Sequence, residues 1–178
     1  MSSSRLPTGP DPEAIRQVIL ERYPETVIAE ALGATFFSLD EKHWPNFATI
    51  VTTDEHDEGA PSDLARPGVY RLNIGVGRET FGRLVGSMEA PDYAAFDQFL
   101  PHPVYAKQLW ISILNPSDAT FRDTVLSLIA EAHDRLAAYG LASGRRMTQL
   151  DSSLLGSRPS ASQWERLIPS TEPWQLVE

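Results

Sequence analysis

The chain has 178 residues, no cysteine and a formal net charge of −9. The lack of cysteine excludes disulfides, thiol nucleophiles and iron–sulfur clusters, and the negative charge disfavours non-specific binding of nucleic acid, because an acidic surface repels phosphate. Hydrophobic residues make up 42% of the chain, which is enough for the core of one domain. The sequence shows neither an apolar leader nor a run of ~18 apolar residues, so we expect a cytoplasmic protein with no membrane partner.

The N-terminal part of the chain predicts one helix followed by three short strands. The helix begins at Asp11-Pro12-Glu13, where a carboxylate cap precedes a proline in the first turn, and Pro24 ends it. Gly33 marks a turn between the first two strands. The three strands are predicted at residues 27–30, 34–39 and 47–53. Five acidic residues then make 54–65 a solvated acidic loop.

The stretch from Arg66 to Phe81 is the most informative part of the sequence. Residues 68–75 alternate in polarity, so the strand predicted there directs Tyr70, Leu72 and Ile74 to one side and Arg71 and Asn73 to the other. Gly75 and Gly77 end this strand, and a helix is predicted over 78–85.

The C-terminal part of the chain alternates between regular and irregular segments. In order, it predicts a short helix at 92–99, an irregular proline-rich loop at 100–105, a strand at 109–114 and a helix from 118 to about 139. Gly140 is a natural helix end. We therefore predict a single domain at 11–140. Residues 141–178 show no sustained periodicity and are predicted to be an irregular or partly disordered tail.

Three segments resemble an uncharacterised bacterial family known only as a domain of unknown function. They are Arg66–Phe81, Leu100–Tyr105, and Leu109–Pro116 before a long helix. The order of elements is also similar to that of the MmcQ/YjbR-like group. This second resemblance implies an α+β fold of the double-wing type, with a small, mostly antiparallel sheet packed by N-terminal and C-terminal helices. Neither resemblance supplies catalytic residues.

Arginines are concentrated in the central stretch, at positions 66, 71, 78 and 83. We select Arg71, Asn73, Arg78 and Trp110 as candidate ligand-binding residues, because the guanidinium fork suits carboxylates and phosphates. The same chemistry leaves an alternative open, in which Arg71 pairs with Glu79 or with the acidic loop.

The turn from Gly75 to Thr80 superficially resembles a phosphate-binding loop. Its spacing fits neither G-x-G-x-x-G nor a Walker motif. We therefore favour glycines that end a strand and let a helix pack closely.

His102 and Tyr105 are candidate catalytic residues, as an acid–base pair on a loop that prolines stiffen. We favour the alternative, a loop histidine that caps backbone carbonyl groups beside a structural aromatic pair, because no partner that would orient the ring is identified. His133 is interpreted as a structural histidine. The acidic segment Asp54–Glu58 has no metal-binding spacing, so we predict no metal and no cofactor.

Three classes of function follow from these residues. The leading one is a non-catalytic binding or accessory module with an arginine-lined site for an anionic small molecule or a protein partner. The second is a small enzyme in which His102 and Tyr105 transfer protons and Arg71 holds substrate charge, which requires all three to share one pocket. The third is a nucleic-acid or protein-interaction domain, with nucleic acid disfavoured by the net charge.

Overall fold

The computed structural model describes the backbone of residues 6–147 and the side chains of residues 6–140. The α-helices are α1 (Pro12–Arg22), α2 (Arg78–Val85), α3 (Asp118–Thr120) and α4 (Leu126–Met147), with a π-helical turn at Phe121–Val125 between the last two. The strands are β1 (Val27–Ala31), β2 (Ala34–Ser38), β3 (Asn46–Val51), β4 (Arg71–Gly75), β5 (Leu100–Pro101) and β6 (Trp110–Leu114). Single 3-10 turns lie at Asp54–His56 and Ala106–Gln108.

The six strands form one sheet in the order β1-β2-β3-β4-β6-β5, with every neighbouring pair antiparallel. A tight turn at Leu32 and Gly33 joins β1 to β2, and both residues have positive φ, the geometry that matches the twist of a hairpin. This arrangement confirms the predicted α+β class and its antiparallel sheet. Helix α1 and the first part of α4, as far as Leu136, pack on the sheet, as predicted for the N-terminal and C-terminal helices.

The alternation of β4 divides the sheet into two different faces, as predicted. Leu72 and Ile74 enter the main core together with residues of α1, α2 and α4, so we call this the helix-covered face. Arg71 and Asn73 lie on the other face, which we call the loop-covered face because Asp57 and Ser62 of the segment between β3 and β4 bond to it.

Each face has its own apolar cluster. The main core joins α1 and the π-helical turn to the central strands, and its fully buried members include Ile15, Ile19, Leu72 and Val125. Burial of each such side chain stabilises the fold by about 1.5–3 kcal/mol. A smaller cluster lies on the loop-covered face, where Val51 and Leu114 are the neighbours of Arg71 across the sheet. Its buried members are Ala34, Val51, Leu64, Val69 and Leu114.

Local signals at helix starts predicted the structure well. Asp11 accepts a hydrogen bond from the Ala14 N–H at 2.8 Å and caps α1. Ser117 caps α3 in the same way. Helix α2 has the predicted bounds. Each of these features depends on a few neighbouring residues, which a sequence pattern records directly.

Three predictions about the C-terminal part were wrong. Residues 92–99 form turns rather than a helix, and Asp97 has a positive φ that a helix does not allow. Leu100–Pro101 form a short edge strand, where a proline costs no ladder hydrogen bond. The last helix passes through Gly140 to Met147, because a glycine inside a helix costs only about 1 kcal/mol.

A boundary between two units of the chain falls between Ala138 and Tyr139, inside α4. Of the second unit, the structure describes only the end of α4. The predicted tail beyond Met147 lies outside the described residues. Within the described part of the chain, no helix combines the length and the apolar character that crossing a membrane requires.

His133 of α4 connects to the turn between α1 and β1. Its ring stacks on Tyr23 with centroids 4.0 Å apart. Nε2 lies 2.7 Å from Glu25 Oε1 and Nδ1 lies 3.1 Å from Asp134 Oδ1. The pKa of Glu25 is lowered below its ordinary value. The larger cause is a hydrogen bond from the backbone of Glu25 itself, and the second is the hydrogen bond from His133.

We expect Glu25→Gln to make the protein less sensitive to acid. Because the folded-state pKa of Glu25 is lowered, its ionised form contributes stability above the ordinary pKa, and this contribution is lost as the pH falls through the folded-state pKa. Melting temperatures from about pH 6 to about pH 3 should show the wild-type advantage over Glu25→Gln shrinking as the pH falls. Glu21→Gln, at an exposed position, is the control, and a wild-type advantage that is constant with pH contradicts the prediction.

Candidate functional site

Arg71 lies at the centre of the loop-covered face with only 1% of its surface exposed. Its Nη1 donates to the Asp57 carboxylate and, at 2.8 Å, to the Ser62 hydroxyl. Its Nε donates to Asn73 Oδ1 at 2.9 Å. The guanidinium therefore extends along β4 toward Asn73. The sequence left open whether Arg71 pairs with Glu79 or with the acidic loop, and in the structure it pairs with the acidic loop.

The segment between β3 and β4 is built to present Asp57 to Arg71. Asp54 accepts hydrogen bonds from the backbone N–H groups of Leu64 and Ala65, at 3.0 and 3.1 Å. Arg66 donates to the carbonyl groups of Ser62 and Asp63, at 3.0 and 2.9 Å. The expectation of a wholly solvated acidic loop was therefore wrong. Asp57 is buried because its charge is neutralised by Arg71.

A row of polar side chains crosses three strands of the loop-covered face. Asn73 donates from Nδ2 to Thr49 Oγ1 at 2.9 Å, and on its other side it lies opposite Ser112 of β6. Ser112 is 1% exposed. Its hydroxyl has no hydrogen-bond partner among the described residues. The row therefore ends, on β6, in a buried hydroxyl whose hydrogen-bonding capacity is unused.

His102 follows β5 and continues the sheet edge, since its backbone N–H donates to the Trp110 carbonyl at 2.9 Å. The side chain is 4% exposed. Its Nδ1 accepts from the backbone N–H groups of Val104 and Tyr105, both at 3.1 Å. Nδ1 is therefore unprotonated and the proton of the neutral ring is on Nε2. No hydrogen bond to Nε2 is found within the described residues.

Electrostatics keep this histidine neutral. Burial, and after it the positive charge of Arg71, hold the pKa of His102 well below its ordinary value. The Tyr105 ring lies 4.9 Å from the His102 ring, centroid to centroid. Burial, and after it the charge of Asp57, raise the pKa of Tyr105. At neutral pH both side chains can thus donate a hydrogen bond, and His102 cannot serve as a base, because its one unprotonated nitrogen is occupied.

The structure brings Trp110 next to His102, with ring centroids 6.5 Å apart, but it places Arg78 elsewhere. Trp110 is almost fully buried and lies over Gly75, where an added Cβ would come within 3.2 Å of its ring. Arg78 is exposed at the start of α2. That helix packs into the main core through Val85, so the structure does not bring Arg78 together with Arg71 on the loop-covered face.

The start of α2 already carries a carboxylate from the protein itself. Glu131 of α4 accepts from the Gly77 N–H at 2.6 Å and from the Thr80 hydroxyl at 2.8 Å. A Cβ on Gly77 would lie 2.9 Å from Glu131 Oε1, which explains the glycine. The position that resembled a phosphate site is filled by Glu131, consistent with the structural interpretation of the two glycines.

Sequence reasoning missed three members of the polar network on the loop-covered face: Thr49, Ser62 and Ser112. It included a fourth, Asp57, only as part of the acidic loop that could pair with Arg71. One signal was present for Ser112, which is the single polar residue between Trp110 and Leu114 in an otherwise apolar strand. Among residues 6–140, no three His, Asp or Glu side chains come together in a way that could hold a metal ion.

Comparison with known proteins places the chain in a family. No curated protein and no solved structure matches it. A family model described as "Family of unknown function (DUF6194)" matches residues 10–140, which is well over half of the chain and includes every element from α1 through the first part of α4. The protein therefore belongs to DUF6194, a family of unknown function.

Proposed function

We propose that the protein is a small binding module whose ligand site lies on the loop-covered face, beside Arg71, Asn73, Ser112 and His102. Trp110 borders this site, because it lies two residues from Ser112 on the same face of β6, with its ring over Gly75. We also propose the double-wing, MmcQ/YjbR-like type for the fold. The order of helix, strands, helix, tryptophan-bearing strand and C-terminal helix supports that assignment.

The observation that carries the proposal is the pair of unused polar groups at Ser112 and His102. The Ser112 hydroxyl is buried without a partner, and the described residues supply none for His102 Nε2. Leaving a buried donor or acceptor unpaired costs about 1–3 kcal/mol. A ligand that supplied the missing partner of the Ser112 hydroxyl would recover this free energy on binding, and His102 Nε2 offers a second group that is free to bond.

The buried ion pair supplies a rigid base for such a site. Arg71 is held by three side chains, and its contact with Asn73 links it to the polar row that ends at Ser112. Side chains locked in this way lose little conformational freedom when a ligand arrives, which favours binding.

A thermal-shift screen tests the proposal with wild type, Ser112→Ala and the control Ser87→Ala at an exposed position. The screen contains nucleosides, nucleotides, sugars, sugar phosphates, organic acids and amides. Ser112→Ala should fold at least as stably as wild type, since it removes an unpaired hydroxyl. A ligand at 100 times its Kd should stabilise wild type and Ser87→Ala by about 2.7 kcal/mol and Ser112→Ala by less. No shift in folded wild type, or equal shifts in all three proteins, contradicts the proposal.

One observation favours a small enzyme as the second candidate. The charges of Arg71 and Asp57 reach His102 and Tyr105 respectively, as expected if these residues share one site. In that case His102 would donate a hydrogen bond from Nε2 to a substrate oxygen rather than remove a proton. An interaction domain that uses the arginines as its footprint has less support, because Arg71 is buried.

A further inference from the structure

The unused groups on the loop-covered face also specify the chemistry of a ligand. Resting on the function proposed above, we infer that this site selects an uncharged ligand with a carboxamide or lactam group and discriminates against carboxylates and phosphates. The inference rests on the charge of the site and on the kinds of hydrogen bond it leaves open.

The site has no net positive charge available for an anion. The Arg71 and Asp57 side chains are 1% and 2% exposed and neutralise each other. His102 adds no charge, because its Nδ1 accepts two backbone hydrogen bonds and the ring is neutral. A carboxylate or phosphate would have to leave water for a buried position beside the Asp57 carboxylate, with no uncompensated cation to offset its desolvation.

The open hydrogen bonds suit a carbonyl group. His102 Nε2 can only donate, because the ring proton is there. The Tyr105 hydroxyl keeps its proton near neutral pH, since burial and Asp57 raise its pKa. Both groups are therefore donors on neighbouring rings, and a carbonyl oxygen has two lone pairs that can accept from them.

Ser112 adds the complementary function. A hydroxyl can accept as well as donate, so the Ser112 Oγ can accept from the N–H of the same amide. It lies opposite Leu100 of β5, two residues before His102 along the chain. A carboxamide or lactam presents an acceptor and a donor side by side, and a carboxylate lacks the donor.

The test uses matched pairs of probes that differ in this group alone: benzamide and benzoate, nicotinamide and nicotinate, with inorganic phosphate as a third kind of anion. The full chain is labelled with nitrogen-15 in its histidines, and the imidazole resonances are followed during titration. His43, His56 and His133 report non-specific effects in the same spectrum. The unligated spectrum should show His102 with a protonated Nε2 and an unprotonated Nδ1.

We expect the amides to move the His102 Nε2 resonance in a saturable way, with the matching carboxylates and phosphate binding at least about tenfold more weakly. Loss of one hydrogen bond in Ser112→Ala should weaken amide binding about fivefold to tenfold. Ser87→Ala should bind as wild type does, and the backbone amide spectrum verifies that both variants are folded.

Several results would overturn the inference. Carboxylate or phosphate binding at His102 as tight as amide binding would reject the ligand class but keep the proposed site. Failure of every amide to move the His102 resonance, or amide affinity that Ser112→Ala leaves unchanged, would also reject it. The binding proposal itself fails separately, if the wider thermal-shift screen finds no ligand.

Discussion

Asp57→Ala is expected to destabilise the protein by about 3–5 kcal/mol, because it leaves the Arg71 guanidinium buried without a counter-charge. The remaining partners, Ser62 and Asn73, are neutral and cannot replace a carboxylate. Urea denaturation, monitored by circular dichroism, gives the free energy of unfolding. Glu58→Ala is the matched control, since this neighbouring acid is exposed and its loss should change stability by no more than about 0.5 kcal/mol.

A double variant separates the buried pair from a general effect on the loop. Arg71→Met alone should also be costly, because it leaves Asp57 buried and unpaired. Combining Arg71→Met with Asp57→Leu removes both charges, so its cost should be well below the sum of the single variants. Additive effects, or an Asp57→Ala cost as small as that of Glu58→Ala, would show that the two charges do not depend on each other.

Leu72→Ala is the second change with a large expected effect, a loss of about 2–5 kcal/mol in the free energy of unfolding. Leu72 is fully buried on the helix-covered face, between neighbours on β3 and β6. Truncation would remove apolar contacts and leave a cavity that the rigid sheet cannot close. Its measurement is the same urea denaturation.

Val104→Ala is the control for this change, because Val104 is half exposed and should lose far less stability. A loss of less than about 1 kcal/mol for Leu72→Ala would mean that the helix-covered face can collapse around the missing side chain. Together the two predictions contrast neighbouring residues of one strand, Arg71 and Leu72, which stabilise opposite faces by different physical means.

The His102 geometry limits what chemistry the site can perform. Two backbone N–H groups fix Nδ1 as an acceptor, so the ring is positioned to donate from Nε2. Such a group can orient a ligand oxygen or stabilise charge that develops on it. The binding module and the enzyme alternative would therefore share the same first step, in which His102 donates a hydrogen bond to an oxygen atom of the ligand or substrate.

Much of the fold could be predicted from the sequence because its signals are local. The alternation at Tyr70, Leu72 and Ile74 assigned the helix-covered face correctly, since side chains of a strand alternate whatever lies around it. The cap at Asp11 and the bounds of α2 depend on residues within one turn. The helix predicted at 92–99 was wrong for the opposite reason, because contacts of this segment with β6 override its helical pattern.

The sequence pattern identified only some of the residues of the candidate site. The pattern selected Arg71, Asn73 and His102 by residue type, and it correctly separated Arg71 from the apolar side of its strand. Only the tertiary structure decided that Asp57 neutralises Arg71 and that Glu131 fills the start of α2, 54 residues from Gly77 in the chain. The physical reason is that charge pairing and burial depend on distances in space, which the route of the loops determines and which residue type alone does not encode.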